Sequence, residues 1–157
     1  MTPEQMDRSA SLTTVTMQTD PAHLERTARG SLVGPIWLNA GQLSFPESRW
    51  TDFAVVVVRE WLEAIRGIGS RGKWQAHCRF MDGPYSFTID GRSPAVWHMT
   101  LLGAADVVMA EYDVHAIEFH SSVVTVAEQL IRVCHERGWR NRDLEQLEAA
   151  YSEHHRM

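Results

Sequence analysis

The chain predicts an α+β fold: an N-terminal hairpin and a helix, an antiparallel meander, then two C-terminal helices packed on one face of the sheet. Three observations predict it. Apolar residues recur at helical spacing from Trp50 to Ile68 and again from Val123 to Cys134. From Lys73 onward the period changes to two, with turn residues punctuating the run. Finally, six of the twenty carboxylates, against one of the fifteen lysines and arginines, fall between residues 80 and 120, inside that meander.

The 157 residues, 44% hydrophobic and 22% charged, suit one domain that buries a core without covalent staples. Residues 1–30 are polar and weakly patterned, which predicts an N-terminal extension outside the core, with residues 31–157 forming a single α+β domain. Leu12, Thr14 and Thr16 alternate with Thr13, Val15 and Met17, as in a short strand or arm, and Pro21 with His23 to Arg29 suits a helical turn. The first thirty residues lack an apolar run of signal-peptide length, and the longest apolar run, Phe53 to Val58, is far short of a membrane span. A cytoplasmic protein is expected. Cys78 and Cys134 lie far apart on elements that read as buried, which favours two reduced core residues; spacing leaves a disulfide open.

Structure becomes readable at Ser31. Val33 to Leu38 reads as a strand, Asn39-Ala40-Gly41 as a turn, and Gln42 to Phe45 as the return strand. The AVVVV run at residues 54–58 has strand propensity, but Trp50, Phe53, Ala54, Val57, Trp61, Ile65 and Ile68 set a helical period over about 49–67. Ser44 with Glu47, or Ser48, suits its cap, and Gly67 with Gly69 its end. The middle of this helix is apolar almost all round, which predicts a sandwiched element or a subunit contact.

Trp74, Ala76, Cys78 and Phe80 then alternate with Lys73, Gln75, His77 and Arg79. Asp82-Gly83-Pro84 breaks the run. Tyr85, Phe87 and Ile89 form a second strand and Ala95, Trp97, Met99 and Leu101 a third, with a fourth over roughly 106–112. One clean apolar face predicts a sheet covered on one side and open on the other. Val123, Val126, Ala127, Leu130, Val133 and Cys134 stripe a helix that Gly138 ends; Asn141 caps the last one, with Asp143 and Glu145 in its first turn.

Candidate chemistry is sparse. Eight histidines invite a metal hypothesis, and His98, Glu118 and His120 are its best members, since Glu118 and His120 share a face if they lie on a strand. They point apart if a helix begins near Glu118. No metal-ligand motif, nucleophile elbow or cofactor fingerprint occurs, so packed or solvated histidines, no resident metal, no cofactor and no catalytic site are expected. The glycine-rich stretch at 67–72, followed by Lys73, resembles a phosphate cradle only loosely, because no strand leads into it; it reads as a loop. Trp37, Trp50, Trp61, Trp74 and Trp97 fall on apolar faces and read as core, and Trp139 as a packing plug.

The net charge of −5 argues against nucleic acid and anionic membranes. It is concentrated on the meander, which points to a surface that meets a basic protein; keeping solvent-facing strands soluble is the competing account. Asp82, Asp90, Glu111 and Asp113 are the candidate partner-binding carboxylates, with Tyr85 as an aromatic contact.

The strings Ile36-Trp37-Leu38, Phe45-Pro46-Glu47, Trp50-Thr51-Asp52-Phe53 with the valine run and Trp61-Leu62, Phe80-Met81-Asp82-Gly83-Pro84-Tyr85, and Cys134 to Gly138-Trp139 resemble a class of small uncharacterised bacterial α+β proteins. In size, acidity and build the chain resembles the immunity proteins that accompany bacterial polymorphic toxins. That likeness implies an inhibitor, monomeric or homodimeric, covering a toxin's basic active site. Two other classes stay open. One is a small enzyme or metal-binding protein with a site around His98, Glu118 and His120. The other is a homo-oligomeric structural or regulatory module joined through the valine-rich helix.

Overall fold

A computed structural model describes residues 11–69 and 72–155. It is an α+β structure with antiparallel-dominated sheets and two C-terminal helices. Ten strands and three helices are described. The strands are β1 (Leu12–Thr13), β2 (Val15–Thr19), β3 (Glu25–Arg26), β4 (Leu32–Ala40), β5 (Leu43–Phe45), β6 (Thr51–Asp52), β7 (Gln75–Arg79), β8 (Ser86–Asp90), β9 (Val96–Leu102) and β10 (Val108–His115). The helices are α1 (Ala54–Arg66), α2 (Ala116–Glu136) and α3 (Arg142–His155).

The strands form two sheets. The meander β7-β8-β9-β10 is antiparallel throughout, and β1 adds to its far edge in parallel with β10. The second sheet is organised on β4. One edge of β4 carries β2 and β3 in succession, and the hairpin partner β5 and the short β6 also pair with it. Gly41 takes φ +62° in the β4–β5 turn, a left-handed conformation that costs a glycine nothing.

The N-terminal stretch differs from the extension expected outside the core. Residues 1–10 lie outside the described residues. From Leu12 onward the chain is woven into both sheets, and Val15, Met17 and Leu24 are core side chains. The backbone N–H of Met17 donates to the Ser122 hydroxyl at 2.8 Å, tying β2 to α2. Weak local patterning understated this segment because its burial comes from distant partners.

Helix α1 starts later than its hydrophobic period suggests. Arg49 adopts φ +59° and Thr51–Asp52 pairs with β4, so the helix begins at Ala54, and the Asp52 carboxylate accepts the Phe53 N–H at 2.6 Å. Neither serine predicted as its cap has that part. Ala54, Val55, Val57, Val58, Trp61, Leu62 and Ile65 are all buried. The helix is sandwiched within the chain between β4, β7, α2 and α3, so its valine-rich surface is not available to join subunits. The Trp61 indole donates to the Arg79 carbonyl at 2.9 Å and meets Phe80 and Phe87 edge-on.

Helix α2 reaches the inner face of the meander through Phe119, which contacts Phe87 and Trp97 edge to face. Helix α3 packs on α1 and α2. Its predicted cap is present: the Leu144 N–H donates to the Asn141 side chain at 2.8 Å. Among the described residues no helix is long and apolar enough to cross a membrane.

Candidate functional site

Strand pairing turns the period-two pattern into a grid. On the open face of the meander one cross-strand row reads Gln75, Asp90, His98, Asp113, and the next reads His77, Thr88, Thr100, Glu111. The opposite face of the same strands presents Ile89 and Met99, Phe87 and Leu101 to the core. These eight positions hold three carboxylates and two histidines, without a lysine or arginine; the next row of the same face begins with the exposed Arg79, paired with Ser86. Arg79 and Arg92 stand at the margins. Between the strands lies a shallow groove of about 500 Å³, lined by Gln75, His77, Thr88, Asp90, His98 and Thr100.

His98 is the centre of this face, and sequence reasoning placed it elsewhere. Its Nδ1 lies 2.9 Å from Asp113 Oδ1 and its Nε2 3.2 Å from Glu111 Oε1. The hydrogen bond to Asp113, reinforced by that to Glu111 and opposed by partial burial, raises its pKa above the ordinary 6.5. An imidazolium bridging two carboxylates satisfies both ring nitrogens as donors. Asp90 is held from the other side, accepting the Arg92 backbone N–H at 3.2 Å and facing Arg92 Nε at 3.4 Å.

The five predicted partner-binding residues therefore divide. Asp90, Glu111 and Asp113 share the open face. Asp82 and Tyr85 do not: they lie in the β7–β8 loop beyond Ser86, four residues along β8 from Asp90, a span of about 14 Å. The Asp82 carboxylate is exposed, but its backbone N–H is bound by both oxygens of Asp52, at 3.2 and 3.1 Å. Tyr85 packs edge-on against Phe45 and Trp50, so its ring is engaged within the fold. Of the remaining acidic residues in the segment, Asp106 sits in the β9–β10 connection, and Glu118 on α2 accepts the Thr14 hydroxyl at 3.1 Å.

The trio His98, Glu118 and His120 is not brought together by the fold. Residues 116–136 are helical, so Glu118 and His120 point apart, the less favourable of the two expected outcomes. His98 lies on the open face, whereas His120 packs beneath the sheet beside Trp97 and His154, its ring centroid 4.3 Å from that of His154. Burial and the neighbouring His154 lower the pKa of His120. Among the described residues no three His, Cys, Asp or Glu side chains are placed to hold a metal ion. Cys78 and Cys134 are both buried and unbridged; burial pushes the Cys134 thiol up to about 11. Trp74, expected in the core, is 44% exposed just ahead of β7.

No protein-family model matches the chain, and neither a curated protein nor a solved structure matches it.

Proposed function

We propose that the chain is a protein-binding module of the cytoplasm that covers a basic protein partner with the open face of its meander. The most concrete form is an immunity-type inhibitor held against a toxin's cationic active site. Asp90, Glu111 and Asp113 are the contact carboxylates; Asp82 and Tyr85 lie off this face, in the β7–β8 loop. One observation carries the reading: two exposed carboxylates, Glu111 and Asp113, and the half-buried Asp90 converge on one sheet face whose interior positions include no lysine or arginine. Such a face steers a cationic surface toward it and repels anionic competitors.

Binding suits this face better than catalysis. Both nitrogens of His98 are committed to carboxylates, so the imidazole has no free position from which to act on a substrate. The partner is basic, and the same charge disfavours nucleic acid. The tagged protein, incubated with its native cell extract at low salt and eluted in salt steps beside an Asp90→Lys, Glu111→Lys variant, tests this. A basic protein retained near one-to-one by the wild type and weakened severalfold or more by the variant is the expected result. Equal retention by both proteins removes this face from consideration.

A further inference from the structure

The last turn of α3 closes a cavity of about 350 Å³ to which α1, β9 and α2 also contribute. Ile65, Ile68 and Trp97 give it apolar walls, and Arg66, His120 and His154 are its polar members. His120, on α2, stands against His154, on α3, with ring centroids 4.3 Å apart and ring planes at 76°. The Trp97 ring lies 6.5 Å from that of His120, centroid to centroid. The His120 Nε2 atom is buried and has no hydrogen-bond partner among the described residues. A buried imidazole nitrogen left unmatched costs stability, and an apolar ring would fill the same place without that cost.

The surrounding charges make this position sensitive to protons. From α3 come His154 and Glu153, and from α1 comes Arg66, which holds the Glu153 carboxylate in an ion pair. The β9 contribution, Trp97, is uncharged. On α2 itself the residues three and four positions away, Ala116, Ile117, Val123 and Val124, carry no charge. An imidazolium at His120 would therefore share the cavity with a second imidazole and a guanidinium, while Glu153 is already engaged. Burial, reinforced by His154, holds the His120 pKa below the ordinary 6.5. The closed arrangement thus favours the neutral ring, and it loses stability against an open one as pH falls below 6.5.

We propose that His120 and His154 form an acid-released latch: a proton on His120 drives the last turn of α3, residues 152–155, away from α2 and admits water to the cavity and to Trp97. The body of α3 stays docked, because Leu144, Leu147 and Ala150 are buried and the Tyr151 hydroxyl donates to Glu128 Oε1 at 2.6 Å. Beyond Tyr151 the turn is held by the exposed Arg66–Glu153 pair and by the contact between the two imidazoles. A terminal turn is also where the fewest backbone hydrogen bonds must open. His120 lies beneath the sheet, on the side away from the acidic face, so the latch does not depend on the partner-binding proposal.

Amide hydrogen exchange of the full chain, read at pH 7 and pH 5 and corrected for the intrinsic pH dependence of exchange, tests the latch. The amides of residues 152–155 should open separately from those of Leu147 and Ala150, and their opening should rise about tenfold in acid. His120→Phe removes the titrating group and should abolish the rise. His154→Gln removes the neighbouring imidazole and should reduce it, which keeps the test intact if circular dichroism shows His120→Phe to be misfolded. The proposal is overturned if the opening of residues 152–155 is the same at both pH values, or if it coincides with that of Leu147 and Ala150 at pH 5. A folded variant of either kind that keeps the full rise overturns it as well.

Discussion

Asp52 is 2% exposed, and its carboxylate accepts from the Trp50 indole, the Phe53 N–H and the Asp82 N–H. Those donors belong to the WTDF and FMDGPY strings, so two stretches thirty residues apart in sequence meet in space as a structural joint. Trp50, Phe45, Phe80 and Tyr85 close their rings around it. Asp52→Ala leaves three part-buried donors without their acceptor, and a loss of about 1–3 kcal/mol in urea unfolding is expected. His98 adds a pH dependence. Its folded pKa is raised, so its stabilisation is complete below the ordinary 6.5 and is lost as pH rises through the folded value. His98→Gln should therefore lower the melting temperature by about 1–2 °C near pH 6 and by less near pH 9. His120 works in the opposite direction: its lowered pKa makes the fold lose stability as pH falls below 6.5. For the proposed complex, deprotonating His98 makes the face more acidic, so affinity for a basic partner should rise from pH 6 to pH 8. In His98→Gln that rise should vanish.

At the scale of elements, α1 bears the greatest demand because it touches both sheets and both later helices. Trp61 is its centre, fully buried, with its indole N–H on the Arg79 carbonyl. Trp61→Ala should cost about 3–5 kcal/mol in urea unfolding, from lost ring burial and an orphaned carbonyl. This helix was legible because seven apolar residues at helical spacing outweigh the β propensity of four consecutive valines. Its start was not, since Thr51–Asp52 pairs with Gly34–Pro35, a contact no local window contains. The meander was legible from parity alone, with boundaries off by one to three residues. Parity misled at Trp74, which has the phase of the buried positions but precedes the first paired residue of β7. The strand character of Leu12 to Thr19 was visible only as alternation; its burial arises from β4 and α2, far along the chain.

For the whole molecule, the sequence located the charge but could not arrange it. Which acidic residues converge depends on the register of β9 against β10. That register passes through a five-residue connection with two left-handed residues, Ala105 and Asp106, and an irregularity between Val108 and Ala110. The result brings Asp113 and Glu111 onto His98, sets Asp90 across from it, and sends Asp82, Asp106 and Glu118 to other places. Half of the concentrated charge is therefore on one face, and part of that half is balanced by His98 and Arg92. A partner must compete with those two internal cations, and salt should weaken the complex steeply because Glu111, Asp113 and His98 are exposed. The most direct test measures, by calorimetry at two salt concentrations, the affinity of the captured basic partner for the wild type and for Asp90→Lys, Glu111→Lys. Severalfold or greater weakening by the charge reversal, with a smaller salt dependence in what remains, is the expected result. An unchanged affinity with an unchanged salt dependence would contradict it.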